Sequence, residues 1–164
     1  MKAMALAAGK GTRLFPLTGE IPKPMAPVVN TPIIEHIFDL LAGHGVDEVR
    51  VNVHYLADTL LEAYGEESRV NDMSVYLERE DELLGTAGGV KRLADRFDDT
   101  FVVVSGDALT DVNITELVDY HKARGALATI ALRWVYDTSE FGVVDVDDEG
   151  TSRVSRRSPT PRRP

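Results

Sequence analysis

The stretch Leu6-Ala-Ala-Gly-Lys-Gly-Thr-Arg-Leu-Phe-Pro-Leu-Thr18, followed by Pro22-Lys-Pro24, decides how this chain reads. It comes directly after Lys2–Ala8, a short apolar run that predicts a buried strand stopped by Gly9. Two familiar glycine motifs fail here. A Walker loop needs Gly, four residues and then Gly-Lys-Ser/Thr, but Lys10 is followed by Gly11 and position 4 is Met. A dinucleotide fingerprint needs a third Gly where Leu14 stands, and a helix that Pro16 would interrupt. What remains is a set of parts suited to phosphate. Gly9 and Gly11 let backbone amides come close to an anion. Thr12 adds a hydroxyl donor and Arg13 a bidentate fork. Lys23 is a cation on backbone stiffened by a proline on each side. The competing reading is an exposed Gly/Pro turn with incidental charges.

Outward from this loop, the chain alternates strands and helices. Residues 9–32 hold five Pro and three Gly and read mainly as loop. Thr31-Pro32 predicts a helix start, with Thr31 as N-cap and Pro32 at the first helical position. Ile33, Ile34, Ile37, Leu40 and Leu41 recur at helical spacing until Gly43 and Gly45. Strands are predicted at Val49–Val53, Met73–Leu77, Phe101–Val104, Ala126–Trp134 and Gly142–Val146. Helices are predicted at Ala57–Tyr64, Thr86–Leu93 and Ile114–Ala123. The alternation indicates an α/β fold with a doubly wound, mainly parallel sheet.

Composition narrows the class. The 164 residues include 18 Lys+Arg and 27 Asp+Glu, for a net charge of −9, with no Cys and 43% hydrophobic residues. So much apolar content argues against disorder. The acidic balance argues against non-specific nucleic-acid binding. Without Cys there is no disulfide framework, thiolate zinc site or cysteine nucleophile. No apolar run reaches the roughly 18–20 residues that span a bilayer, and the start is too short and too soon broken by Gly9 for a signal peptide. The expectation is a soluble, intracellular, acidic protein of cytoplasmic location, without nucleic-acid or membrane partners. The charge is uneven, however. Residues 151–164 hold five Arg, three Pro and no acid, leaving 13 basic against 27 acidic residues in 1–150. The break marks residues 1–150 as the domain and 151–164 as a basic tail, either disordered or foreign to the domain.

The composite pattern from Leu6 to Thr18 with Pro22-Lys-Pro24 resembles the nucleoside-triphosphate loop of the sugar-phosphate nucleotidyltransferases. The likeness continues through Val51-Asn-Val-His-Tyr55, Leu84-Gly-Thr-Ala-Gly88, Val104-Ser-Gly-Asp107 and Phe141-Gly-Val-Val144. Within the family it looks closest to the mannose-1-phosphate guanylyltransferases, with uridylyl- and thymidylyltransferases as neighbours. The resemblance implies a Rossmann-like fold and a reaction of a sugar 1-phosphate with a nucleoside triphosphate, giving a nucleotide-sugar and pyrophosphate. GTP and mannose 1-phosphate are favoured, and homo-oligomerisation is left open. It also implies that Leu6, Ala7, Ala8, Gly9, Gly11 and Thr12 cradle base and phosphates. Arg13 would stabilise pyrophosphate and Lys23 would bridge phosphates.

Asp107 follows the apolar run from Phe101, at the sheet edge where ligands bind in such folds. It is a hard oxygen donor suited to Mg²⁺, and the family's metal aspartate sits here; an ordinary turn or cap Asp is the alternative. In the resemblance the region of Glu82 reads the base. A carboxylate can accept both donors of guanine's pairing edge, although Glu80 or Asp81 could be the reader, and the acidic run could simply be solvated. Gly88 matches a position where backbone meets base. Gly142 matches a glycine near the sugar, with a strand bulge as the other reading. His54 stands near a strand end and could line the pocket.

Family members continue with a strand carrying Glu-Lys-Pro, whose lysine grips the sugar phosphate, and with a later metal aspartate. Neither is present. Codons permitted for Val154–Pro164 read, in a shifted frame, as Phe-Gln-Glu-Lys-Pro-Asp-Pro-Ala-Glu-Ala. The expectation is therefore an incomplete, out-of-frame C-terminus. A catalytically poor nucleotide-binding fragment is the competing functional class.

Overall fold

The computed structural model describes residues 1–138 and 141–156, with backbone alone at 153–156. β1 (Lys2–Leu6) opens into a long loop with short 3-10 turns at Thr12–Leu14, Leu17–Gly19 and Lys23–Met25. A two-residue ladder of β2 (Pro27–Val28) with β3 (Thr31–Pro32) closes that loop. Then come α1 (Ile33–Gly43), β4 (Glu48–Val53), α2 (Ala57–Tyr64), β5 (Glu67–Val70) and β6 (Met73–Arg79). α3 (Gly85–Arg92), β7 (Val102–Ser105) and α4 (Ile114–Arg124) follow. These elements belong to one compact unit, Met1–Thr129; a second, Ile130–Pro164, holds β8 (Val143–Val146) and β9 (Ser152–Arg156).

The main sheet runs β5-β6-β4-β1-β7. β1 pairs in parallel with both β4 and β7, and β4 pairs in parallel with β6. Only β5 is antiparallel. This is the mainly parallel α/β sheet that the sequence pattern predicts. Alternation along β1 sends Ala3, Ala5 and Ala7 into one buried cluster with Ile34, Ile37, Phe38 and Leu41 of α1. Small alanines on this interior strand leave room for those larger side chains. Phe38 also meets the Tyr64 ring edge-on at 5.7 Å. The Tyr64 hydroxyl donates to Glu35 Oε1 at 2.9 Å. Burial first, and then that carboxylate, hold the Tyr64 hydroxyl above its ordinary pKa.

Several expectations differ from the structure. Thr31 does not cap α1, and Pro32 occupies the cap position rather than the first helical one. Both residues are taken by the ladder with Pro27–Val28, and Ile33 N donates to Ala26 O at 3.1 Å instead. Residues 126–134 form no strand, because strand backbone needs a neighbour and this segment has no ladder partner among the described residues. Leu127 and Trp134 are consequently fully exposed. β5 escaped the sequence reading, since Glu67-Ser-Arg-Val70 is short and half polar at a sheet edge. In the second unit, β9 enters the basic tail by pairing antiparallel with β8. The turn between them is built by Asp147, whose Oδ1 accepts from Glu149 N and Thr151 N, with Gly150 at φ +79°. Residues 157–164 lie outside the described residues. No helix among the described residues is long and apolar enough to cross a membrane.

Leu41 is fully buried at the centre of the α1 packing. Leu41→Ala is expected to cost about 2–5 kcal/mol of folding stability, read by urea denaturation. A loss under about 1 kcal/mol would contradict this account of the core.

Candidate functional site

Parallel strands bring their carboxyl ends to one edge, and the loops after β1, β4, β6 and β7 meet there. Gly106, just past β7, donates its N–H to Leu6 O at 2.9 Å, which draws the end of β7 against the end of β1. Asp107 therefore projects beside the glycine loop. Lys23 reaches the same point from the third 3-10 turn, where Ala26 N donates to Lys23 O at 3.0 Å and Pro22 and Pro24 are buried. The Lys23 ammonium donates to Asp107 Oδ2 at 2.9 Å, with the two side chains 22% and 37% exposed.

The loop itself is pinned from within. Gly11 takes the left-handed conformation, φ +61° and ψ 30°. A side chain there would also stand 2.9 Å from Lys23 Cβ, so glycine is required on both counts. The buried Thr18 hydroxyl donates to Gly11 O at 2.9 Å, and the Tyr55 hydroxyl donates to Thr18 O at 2.9 Å. Thr12, Arg13 and Leu14 form one 3-10 turn between these anchors. Arg13 is exposed and makes no ion pair among the described residues.

Two cavities adjoin at Asp107. The first, about 420 Å³, is lined by Gly11, Thr12, Arg13, Leu14, Lys23 and Asp107. The second, about 290 Å³, is walled by Leu6, Ala8 and Gly9 on one side and by Leu83, Gly85 and Thr86 on the other. Asn52, Ser105 and Asp107 complete it. Together they match the volume of an ordinary small-molecule site. The first is cationic, with one guanidinium and one ammonium. The second is nearly uncharged apart from Asp107. A cavity of about 390 Å³ between β7 and α4 contains neither Lys nor Arg, so it cannot neutralise a polyanion.

The predicted residues thus separate into groups. Leu6, Ala8, Gly9, Gly11, Thr12, Arg13, Lys23 and Asp107 line the paired cavities. Ala7 is buried behind them and donates its N–H to Asn52 Oδ1 at 3.0 Å. Asp81 and Glu82 are exposed and line neither cavity, and Glu80 is turned inward against Asn52 at 2.8 Å. Gly88 lies in the first turns of α3 and lines neither cavity; a Cβ there would meet Leu84 Cβ at 2.9 Å. His54 Nδ1 donates to the Glu80 carbonyl at 2.9 Å, which fixes its tautomer because a carbonyl only accepts. Gly142 belongs to the second unit, immediately before β8. Of the other lining residues, Asn52, Leu83, Gly85 and Thr86 fall in the segments Asn52–Tyr55 and Glu82–Gly88, which the sequence places just after strands and so beside the cleft, although no individual role is read for them there; Ser105 is read only as part of the strand end before Asp107. For Asn52 a signal existed, a lone amide in the run Val49-Arg-Val-Asn-Val53.

The donor set at Asp107 suits one kind of metal. A single carboxylate oxygen already holds a cation, and no cluster of three or more His, Cys, Asp or Glu occurs among the described residues. Mg²⁺ is ordinarily held by one or two carboxylates with water and substrate phosphates completing the shell. Asp107 beside a cationic cavity fits that pattern.

Comparison with known proteins agrees with this geometry. The nucleotidyl transferase family matches residues 2–161, past the composition break at 151. A UTP–glucose-1-phosphate uridylyltransferase of Synechocystis is 40% identical over 97% of this chain and 44% of its own length. A probable mannose-1-phosphate guanylyltransferase of rice is 36% identical over 95% of this chain and 44% of its own. The chain therefore spans under half the length of these relatives. Among solved structures, HddC from Yersinia pseudotuberculosis complexed with GMP-PN superposes with a TM-score of 0.78 at 25% identity, covering 96% of this chain and 69% of that one. With its Rossmann-like α/β sheet and its glycine loop facing Asp107, the chain belongs to the nucleotidyl transferase family.

Proposed function

We propose that this chain carries the triphosphate-binding part of a sugar-1-phosphate nucleotidyltransferase, which joins a nucleoside triphosphate to a sugar 1-phosphate with release of pyrophosphate. The observation that carries the reading is the pair of adjoining cavities, one cationic and one nearly neutral, sharing Asp107. A nucleoside triphosphate has the matching polarity: a polyanion at one end and a flat, uncharged base at the other.

The chemistry is attack by a sugar-phosphate oxygen on the α-phosphorus, in line with departure of pyrophosphate. Two polyanions must meet, so positioning and charge neutralisation supply most of the acceleration. The triphosphate lies along the loop at Gly9–Thr12, where Gly11 brings the backbone close. Arg13 grips the β- and γ-phosphates with its fork and stabilises the charge that grows on pyrophosphate. Lys23 turns from Asp107 to the phosphates. Its resting ion pair is partly exposed, a class worth about 0–1 kcal/mol, so a polyanion displaces it readily. Asp107 would hold Mg²⁺, which when bound neutralises phosphate charge and polarises the reacting phosphoryl group. The base enters between Ala8–Gly9 and Leu83–Thr86. Gly142 is assigned to the sugar side by its family resemblance alone.

For substrates, we favour GTP and mannose 1-phosphate, supported by the guanylyltransferase relatives. The 40% identical uridylyltransferase supports UTP and glucose 1-phosphate as the second reading. We assign the base contact to Leu83, Gly85 and Thr86 rather than to Glu82, because these three line the cavity and Glu82 does not.

Thermal shift against GTP, UTP, ATP and dTTP with Mg²⁺ tests the binding reading. At about 100-fold excess over Kd, the preferred triphosphate should raise Tm by roughly 5–10 °C. No shift with any of the four would overturn it. Arg13→Ala should lower pyrophosphate release about 10²–10³-fold while weakening triphosphate affinity under about tenfold. Equal losses in turnover and affinity would assign Arg13 to binding alone.

A further inference from the structure

The Gly11 carbonyl is engaged twice. Leu14 N donates to it at 2.9 Å, closing the turn that carries Arg13, and the Thr18 hydroxyl donates to it at 2.9 Å. Thr18 is wholly buried, so water does not compete for that second bond. The Thr18 carbonyl is held in turn by the Tyr55 hydroxyl at 2.9 Å. Tyr55 stands just past β4. Leu56, next along, takes φ +49° and ψ 40°, a costly conformation for a residue with a side chain, and turns the backbone into α2. A line of hydrogen bonds thus runs from the end of β4, through Thr18, to the first peptide of the Arg13 turn.

A trans peptide sets its carbonyl and its N–H on opposite sides of the backbone. The Gly11–Thr12 peptide is trans. With the Gly11 carbonyl turned to Thr18 and Leu14, the Thr12 N–H points the other way. That N–H has no hydrogen bond among the described residues. Gly11 and Thr12 both line the cationic cavity. Glycine by itself does not hold such an orientation, because without a side chain it lets the adjoining peptide rotate. A rotated peptide would offer an anion a carbonyl in place of a donor. We propose that Thr18 and Tyr55 are positioning residues that prevent this rotation, so that the Thr12 amide is presented to the terminal phosphates of a triphosphate with Arg13 beside it. The inference rests on the reading of the first cavity as the triphosphate site. Neither Thr18 nor Tyr55 lines either cavity, so both act through the backbone.

Three substitutions separate the hydroxyls from the volume they fill. Thr18→Val keeps the shape and removes the donor. Thr18→Ser keeps the donor and removes a methyl group. Tyr55→Phe removes the hydroxyl alone. The readout is Kd for GTP beside Kd for GMP, and for UTP beside UMP, by calorimetry on the full chain with Mg²⁺, together with Tm. A monophosphate lacks the terminal phosphates, so it reports the same fold without the contact in question.

Thr18→Val should weaken the triphosphate about tenfold or more, as for the loss of a hydrogen bond to a charged group, and leave the monophosphate within about twofold. Tyr55→Phe should act in the same sense to a smaller degree, while Thr18→Ser should keep both affinities within about threefold of wild type. A triphosphate-to-monophosphate ratio unchanged in Thr18→Val overturns the inference, whatever happens to Tm, and so does a Ser variant as weak as the Val one. A wild-type ratio in Tyr55→Phe removes Tyr55 from it. If Thr18→Val does not fold, amide hydrogen exchange on the wild type decides. The Thr12 amide should exchange fast in the free chain and become protected on adding GTP or UTP, whichever binds, while the Leu14 amide is protected throughout. A Thr12 amide still unprotected at saturation contradicts the inference. A wild type that binds neither triphosphate refutes the nucleotide reading itself, an outcome distinct from all the others.

Discussion

Parallel pairing obliges β1, β4 and β7 to end at the same edge of the sheet, and everything functional in this chain follows from that edge. β1 is an interior strand with a parallel neighbour on each side. The loop after β1 is thereby flanked by Asn52 at the end of β4 and by Gly106–Asp107 past β7. Backbone bonds such as Gly106 N to Leu6 O at 2.9 Å hold the strand ends together. Ligand binding at the carboxyl edge of an open α/β sheet is the general consequence of this topology.

Charge then sorts the cleft. The first unit is acidic, yet the cavity at Arg13 and Lys23 holds the two cations that a triphosphate requires. Lys23 rests on Asp107, so each group keeps a counter-charge while no ligand is present. In the proposed function the ammonium would move to phosphate, leaving the carboxylate to hold a divalent ion. Behind this polar front, the Thr18 and Tyr55 hydroxyls and the Asn52–Glu80 pair hold the loops at fixed spacing.

Much of this was legible in the sequence, for identifiable reasons. Apolar periodicity located α1, α2 and α4, valine-rich runs located β4 and β7, and apolar alternation located β6, because burial imposes those spacings. Ala57–Tyr64 was bounded correctly since Gly65, at φ +72°, ends it by conformation. The cavity residues from Leu6 to Lys23 were legible because glycine, arginine and clamped lysine act through local chemistry. What failed depended on partners. Ala126–Trp134 has the composition of a strand, but composition does not supply a neighbouring ladder. Ser152–Arg156 lies in a tail whose composition suggests disorder, yet a turn at Asp147–Thr151 pairs it with β8. Glu80 and Glu82 looked alike in an acidic run. Their difference arises in three dimensions, where β6 and α3 bury one and leave the other in water.

The central claim is that the cationic loop and Asp107 receive one triphosphate–metal complex. Its most direct test is a crystal of the full chain with a non-hydrolysable GTP analogue and Mn²⁺, read by anomalous scattering. The account predicts a manganese peak at about 2.2 Å from an Asp107 carboxylate oxygen, with Lys23 Nζ and the Arg13 guanidinium both on phosphate oxygens. An intact Lys23–Asp107 pair, with the triphosphate bound elsewhere on the molecule, would contradict it.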